Sequence, residues 1–310
     1  MTSPTPSLPA GHVLHPFTNR ERVVLTLVSV LCGVMAVWVA RVFGVPSTPG
    51  YAGSILHDAS GVVGLLVVGV TLVAATFLAM VLAGRVRHDA ALFCATAGLS
   101  ALSVRTGTMP NALRDAGGNG VFITLLIESV VLFAFVMIGA WVVKRFTGKG
   151  RVDADPVLEY ETDTPVANKL LATVTTAAIA VVLTSLIAQT NIKGQVLAAV
   201  GIASMVGAIG GYWLFPTRGA IWFVGGPLLA SVFAYVHAYL LATPVAWTIG
   251  EPSSNLARAV PLDFVSVGSA AAILGHWMAR RWRHTSDDTA VEDPAIEVPT
   301  TGQPVQSKTV

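Results

Sequence analysis

A carboxylate interrupts a long apolar run of this chain: Glu128 lies in the stretch LLIESVV at residues 125–131. An ionised group at membrane depth must pair with an opposite charge, reach water or take up a proton. These three states correspond to a structural ion pair, a hydrated binding site for a cation, and a proton carrier. Glu128 is therefore the first candidate for a functional residue.

Four further polar residues lie in or at the ends of apolar runs and join Glu128 as candidate ligand-binding residues. Arg105 ends the run that precedes Glu128 and is its nearest candidate partner, so both a structural ion pair and a functional carboxylate fit the sequence. For His237, in AYVHAYLL, the sequence favours a hydrogen-bonded packing residue over a proton carrier. Arg41 ends the first apolar run, and Asp263 begins the last one.

Signatures of catalysis or metal binding do not emerge from the sequence. It has no HExxH pattern, and its apolar runs hold no close register of acids and histidines, which an enzyme acting on lipids would need. Cys32 and Cys94 lie in apolar runs without the short spacing of a metal site or a redox pair. We predict no catalytic residue, no metal and no cofactor.

The composition places the chain in a lipid bilayer. Of its 310 residues 54% are hydrophobic and only 12% are charged, which is far more apolar than a soluble domain of this size. The net charge of +2 is too small to indicate a nucleic-acid partner. The bias toward Ala, Val, Gly and Arg is typical of a high-GC bacterium, so the expected location is the bacterial cytoplasmic (plasma) membrane.

The apolar runs predict an all-α, multi-pass membrane protein. A helix needs about 20 mainly apolar residues to cross the hydrocarbon, and this criterion predicts a bundle of eight transmembrane helices, or of seven if the short run 90–104 is only partly inserted. The predicted spans are 23–43, 61–84, 90–104, 121–143, 169–189, 196–215, 219–241 and 261–279.

Basic residues favour eight spans with both termini in the cytoplasm. This topology puts most of the Lys and Arg residues of the connections on the cytoplasmic side, as the positive-inside rule requires. Seven spans would move either the Arg20 and Arg22 pair or the RRWR cluster after the last span to the outside. The candidate residues then lie toward the outer face, which predicts an outward-facing polar site.

Polar segments divide the chain into two halves. Residues 1–19 and 285–310 are expected to be disordered cytoplasmic tails, and the acidic segment 152–168, which contains prolines, a solvated cytoplasmic linker. The halves 20–151 and 169–284 each carry four predicted spans.

An even number of spans in each half is compatible with a parallel duplication. Its sequence signal is weak: an Asn-x-x-Arg pattern precedes the fourth and the eighth span, at 111–114 and 255–258. Loops favour such residues for turn chemistry alone, so the pattern could also be accidental.

Small residues indicate how two spans pack. Ala203, Gly207 and Gly211 recur at every fourth position of the sixth span, and the fifth span carries a face of threonines and alanines. Because the two spans share a short connection, we predict that these faces meet. For the sequence Gly-Gly-Pro at 225–227, a proline kink absorbed by neighbouring helices is favoured over a broken helix.

These observations favour a transporter or permease-like protein with an outward-facing polar site and an unknown substrate. The alternative is a non-catalytic scaffold or subunit of a membrane complex, whose small-residue faces pack against a second copy or a partner subunit. A lipid-processing enzyme is the weakest alternative, because it lacks the expected catalytic groups.

Overall fold

The computed structural model describes residues 18–43, 54–56, 61–84, 89–116, 118–146, 164–217, 219–242 and 251–291, and these ranges contain helices and short connections without a β-strand. The helices are α1 (Asn19–Val42), α2 (Gly61–Ala83), α3 (Ala90–Arg105), α4 (Met109–Ala116), α5 (Gly120–Phe146), α6 (Val166–Ile187), α7 (Lys193–Leu214), α8 (Ile221–Leu241) and α9, which consists of Pro261–Asp263, a π-helical turn at Phe264–Gly268, and Ser269–Val291. A short 3-10 helix, Asn255–Arg258, precedes α9.

Seven of the described helices are long and apolar enough to cross a membrane, which makes the chain a multi-pass membrane protein. The remaining candidate span, α3, has 16 residues and is about 24 Å long, against roughly 30 Å of hydrocarbon. Most of α3 is buried, and it packs against α1, α2 and α9. A helix in this position meets protein over most of its surface, so its short length exposes little backbone to the bilayer.

The two ends of α3 lie at opposite ends of the bundle. At its start, Asp89 accepts a hydrogen bond from the backbone N–H just before α8 (3.4 Å). At its end, Ser103 donates a hydrogen bond to Asp263 in the first turn of α9. The end of α8 lies near the chain that leads into α9, because the Ser253 hydroxyl donates to the Ala238 carbonyl (3.2 Å). The starts of α8 and α9 are therefore at opposite ends, and α3 runs between them.

The small-residue faces of α6 and α7 meet, which confirms the packing predicted from the sequence. A Cβ atom placed on Gly207 would lie 2.6 Å from the Thr176 carbonyl oxygen, and one on Gly211 would lie 2.4 Å from Thr176 Oγ1. No side chain fits in these positions without moving α6. The two helices approach this closely because glycine leaves their backbones uncovered.

The Gly-Gly-Pro sequence does not break α8, which continues through Pro227. The alternative of a broken helix is therefore wrong. The preceding glycines allow close contact with α6, because a Cβ atom on Gly226 would lie 2.3 Å from Thr176 Cγ2. In the turn before the proline, the Thr173 hydroxyl donates a hydrogen bond to the Trp222 carbonyl (2.7 Å), so a neighbouring helix satisfies polar backbone there.

Two predicted boundaries differ from the structure. Helix α6 begins at Val166, inside the predicted linker 152–168, because Pro165 has the fixed φ that suits the start of a helix. Helix α9 continues to Val291, inside the predicted disordered tail 285–310. No proline interrupts the chain between Pro261 and Pro294. Residues 1–17, 152–163 and 292–310 of the tails and the linker lie outside the described residues.

Candidate functional site

Glu128 lies in the third turn of α5 and is buried, with 1% of its surface exposed. Its Oε2 atom accepts three hydrogen bonds from one short non-helical segment, Ser54 to Leu56, which precedes α2. The donors are the Ser54 hydroxyl at 2.8 Å, the Ile55 backbone N–H at 3.0 Å and the Leu56 backbone N–H at 3.4 Å. The carboxylate thus holds a short bend and turn of the chain against the interior of the bundle.

Of the two alternatives for Glu128, the ion pair with Arg105 is not formed in the structure. Arg105 is exposed at the end of α3 and, with Arg41, lines a groove between α1 and α3. In the part of the chain that the structure describes, Glu128 forms no ion pair with any lysine or arginine. The sequence could not reveal this, because the donors to Glu128 are mostly backbone groups, which every residue except proline carries.

A second buried carboxylate, Asp263 in the first turn of α9, is paired with a cation. Lys193 Nζ lies 2.7 Å from Asp263 Oδ1, and the two side chains are 16% and 1% exposed. The same oxygen accepts a hydrogen bond from the Ser103 hydroxyl at 2.5 Å, while Oδ2 accepts one from the Val260 N–H at 3.1 Å. Lys193 also lies 3.4 Å from Thr106 Oγ1. This cluster joins the end of α3 to the starts of α7 and α9.

Lys193 and Ser103 are site residues that sequence reasoning missed. Lys193 stands in the short connection between two apolar runs, where a topological anchor is the simplest interpretation. The signal that could have found it is the match between a lone lysine at the start of one span and a lone aspartate at the start of another. Both groups lie at the same end of the bundle, so they are able to meet.

Tyr235 of α8 lies beside the start of α9, close to the Asp263 cluster. Its buried hydroxyl donates a hydrogen bond to the Ala259 carbonyl (2.9 Å), and the ring packs edge-on against Phe264. The first turn of α9, which carries Asp263, also packs against α5, the helix that carries Glu128. The two sites are therefore neighbours in one polar layer near an end of the bundle.

The structure does not bring all five predicted residues together. His237 is half-buried and stacks on Phe233 with 5.6 Å between ring centroids, and its Nδ1 atom has no hydrogen-bond partner among the described residues. Arg41 and Arg105 share the groove on the surface of the bundle. Among the described residues, no group of three or more His, Cys, Asp or Glu side chains is placed to hold a metal ion.

The buried residues of the two halves follow the same spacing. On α1 they include Val28, Cys32, Gly33, Ala36 and Ala40, and on α6 they recur at the same intervals as Ala172, Thr176, Ala177, Ala180 and Thr184. On α3 and α8 the agreement extends to six positions. Those of α3 are Ala95, Thr96, Gly98, Leu99, Leu102 and Ser103, and those of α8 are Phe223, Val224, Gly226, Pro227, Ala230 and Ser231.

The contact between the first and third helix of each half uses equivalent residues. A Cβ atom on Gly98 would lie 2.6 Å from Cys32 Cβ and 2.8 Å from the Gly33 nitrogen. In the second half, a Cβ atom on Gly226 would lie 2.3 Å from Thr176 Cγ2 and 3.3 Å from the Ala177 nitrogen. Each third helix thus crosses its first helix at a glycine, and the matched spacing assigns the same partner positions to both crossings.

The two carboxylates occupy related places in this arrangement. Glu128, on the fourth long helix of its half, is held by the chain that leads into α2. Asp263, on the last helix of the other half, is held by Lys193 at the start of α7. Farther along, Gly139 packs on α2 and Gly275 packs on α7. The number of residues between the carboxylate and the glycine is one larger in α9 than in α5. The π-helical turn Phe264–Gly268 accommodates this extra residue.

Comparison with known proteins finds no family model, no curated protein and no solved structure that matches the chain. Its class is therefore defined by its own architecture, which is that of a multi-pass, all-α membrane protein. Any more specific function has to be argued from the buried carboxylates and the groups that hold them.

Proposed function

We propose that the protein is a permease-like transporter of the bacterial cytoplasmic membrane, with Glu128 as its functional carboxylate. It is built from two parallel halves of four crossings each, α1, α2, α3 and α5 in one and α6 to α9 in the other. Helix α3 completes the eighth crossing, and both termini are cytoplasmic. The matched spacing of buried residues and the two equivalent glycine crossings support the duplication, and parallel repeats are a known transporter architecture.

The observation that carries the proposal is the way in which Glu128 is held. Asp263 has a lysine as its counter-charge, whereas the hydrogen bonds of Glu128 come from the uncharged segment 54–56. A proton or a cation that binds Glu128 must compete with this segment, so occupancy of the carboxylate is coupled to the position of the segment. Asp263, which already has a cation fixed beside it, does not couple the binding of a proton or a cation to the position of a chain segment in this way.

The expected mechanism follows from the strength of these hydrogen bonds. Hydrogen bonds to an ionised carboxylate are about twice as strong as neutral ones, so segment 54–56 is held most firmly while Glu128 is charged. Neutralisation by a proton or a bound cation weakens its hold and frees the segment from the bundle end, which faces outward. The Asp263 and Lys193 pair of the second half, to which Ser103 of the first half donates a hydrogen bond, remains closed during this step.

Reconstituted vesicles with a trapped pH-sensitive dye test the proposal. Under an inside-negative potential, the vesicles are exposed in turn to cationic, zwitterionic and anionic solutes. We expect one class of solute to drive acid entry in the wild type and not in Glu128→Gln. The matched control is Glu21→Gln, which replaces a partly exposed acid in the first turn of α1. A glutamine can still accept the capping hydrogen bond from the Thr18 N–H, so this variant should behave like the wild type. Vesicles that never differ from protein-free vesicles would contradict proton-coupled transport.

A non-catalytic scaffold is the second candidate, and one observation favours it. The Asp263 carboxylate has its partners within the chain, namely Lys193, Ser103 and a backbone N–H. This is expected of a cluster that only stabilises the fold. A scaffold predicts that Glu128→Gln leaves every flux unchanged and that the protein copurifies with a defined membrane partner. The vesicle experiment therefore separates the two candidates.

A further inference from the structure

A groove of about 600 Å³ runs along the surface of the bundle between α1 and α3. Its floor is formed by Gly33 and Gly98, at the point where the two helices cross most closely. Ala101 and the exposed Trp38 form part of its walls. Because the crossing residues lack side chains, the surface is concave there, with apolar walls.

The length of the groove matches one leaflet of the bilayer. On α1 it extends from Ser29 to Arg41, which is about 18 Å at 1.5 Å per residue. The hydrocarbon core is roughly 30 Å thick, so one leaflet contributes about 15 Å. The groove therefore covers the depth that a single acyl chain occupies between the membrane surface and the midplane.

Two arginines stand at the end of the groove, Arg41 in the last turn of α1 and Arg105 at the end of α3. Within the described ranges, neither guanidinium takes part in an ion pair or a hydrogen bond. Two like charges at the end of one groove form a site that a single anion can share. A phosphate suits them well, because each planar guanidinium offers paired donors to its oxygens.

The packing of α1 against α3 does not require arginines at positions 41 and 105. At the equivalent positions of the second half, which follow from the matched spacing of buried residues, α6 carries Ser185 and α8 carries Phe233. The glycine crossing is present in both halves, whereas the positive charges are present in one. The charges therefore serve something other than the contact between the helices.

We propose that this groove binds one anionic phospholipid, with its phosphate between Arg41 and Arg105 and an acyl chain over the glycine floor. The site is independent of the transport proposal, because it lies on the lipid-facing surface and shares no residue with the Glu128 site. Lone arginines at helix ends are often membrane anchors that reach for any headgroup. Here two of them flank a groove of one-leaflet length, and this arrangement selects a single lipid with a net negative charge.

Native mass spectrometry of the full chain in detergent tests the site. The probes are phosphatidylglycerol and phosphatidylcholine with identical acyl chains, added in increasing amounts. We expect one phosphatidylglycerol to bind to the wild type in preference to phosphatidylcholine. Arg41→Gln and Arg105→Gln should each weaken that adduct by about tenfold, the loss of one charge-assisted contact. The control Arg114→Gln removes an exposed arginine of α4 and should change nothing.

A second variant tests the groove without altering its charges. Ala101→Phe fills the groove from an exposed position one turn before Arg105, and it should also remove the bound lipid. Equal binding of the two lipids, or unchanged selectivity in both arginine variants, would overturn the proposal. It would also be overturned if millimolar inorganic phosphate displaced the lipid and bound alone, or if Ala101→Phe split a dimer instead of removing a lipid.

Discussion

Replacing Asp263 with alanine is expected to lower the free energy of unfolding by about 3–5 kcal/mol, the usual cost of leaving one member of a buried ion pair alone. Lys193 would keep its charge in a site where its side chain is 16% exposed. The Ser103 hydroxyl and the Val260 N–H would also lose their acceptor. Reversible unfolding in mixed detergent micelles measures the change.

The matched control for Asp263→Ala removes both charges together. In Lys193→Met combined with Asp263→Leu, no uncompensated charge remains, so we expect the loss caused by the unpaired lysine to be recovered, while the loss at Ser103 and Val260 remains. If the double variant is instead as unstable as the sum of the two single variants, the ion pair does not exist in the folded protein. A fully stable Asp263→Ala protein would contradict the cluster in the same way.

The second large effect is expected at the crossing of α1 and α3. Alanine normally stabilises a helix relative to glycine, yet Gly98→Ala should destabilise the protein by about 3 kcal/mol, at the upper end of the cost of overpacking. The added Cβ atom would lie 2.6 Å from Cys32 Cβ and 2.8 Å from two backbone atoms, the Gly33 nitrogen and the Ser29 oxygen. Backbone atoms cannot rotate away, so the two helices would have to separate.

A glycine with free space around it gives the control for this substitution. Gly194 lies in the first turn of α7, and a Cβ atom there would meet no atom within 4 Å, so Gly194→Ala should change the stability by less than about 0.5 kcal/mol. Thermal unfolding of both variants in the same detergent makes the comparison. Equal stability of the two variants would show that α1 and α3 do not cross at Gly98.

Much of the architecture could be predicted from the sequence, because apolar length and helical spacing are local properties. The helix boundaries agree closely with the predicted spans; α5, for example, extends from Gly120 to Phe146 where 121–143 was expected. The meeting of α6 and α7 followed from the spacing of Gly207 and Gly211 and from a short connection. The exact number of crossings and their orientation stay predictions.

The arrangement of the candidate site could not be predicted in the same way. Glu128 was recognisable as unusual in the sequence. Its partners, however, are backbone amides of a segment more than 70 positions earlier, and backbone amides cannot be identified from residue types. Lys193 resembled an anchor until the fold placed it beside Asp263. The proposed duplication has little support in residue identity, because Cys32 and Thr176 share only a small size and a buried position.

The most direct test of the central claim, that Glu128 holds segment 54–56 in place, is hydrogen exchange of the amides of Ile55 and Leu56 in the reconstituted protein. Both amides donate to the carboxylate, so Glu128→Gln is expected to speed their exchange by about tenfold. Asp263→Asn should leave them unchanged. If the two amides exchange at the same rate in Glu128→Gln as in the wild type, or equally fast in both variants, the carboxylate does not control the segment and the proposed mechanism is wrong.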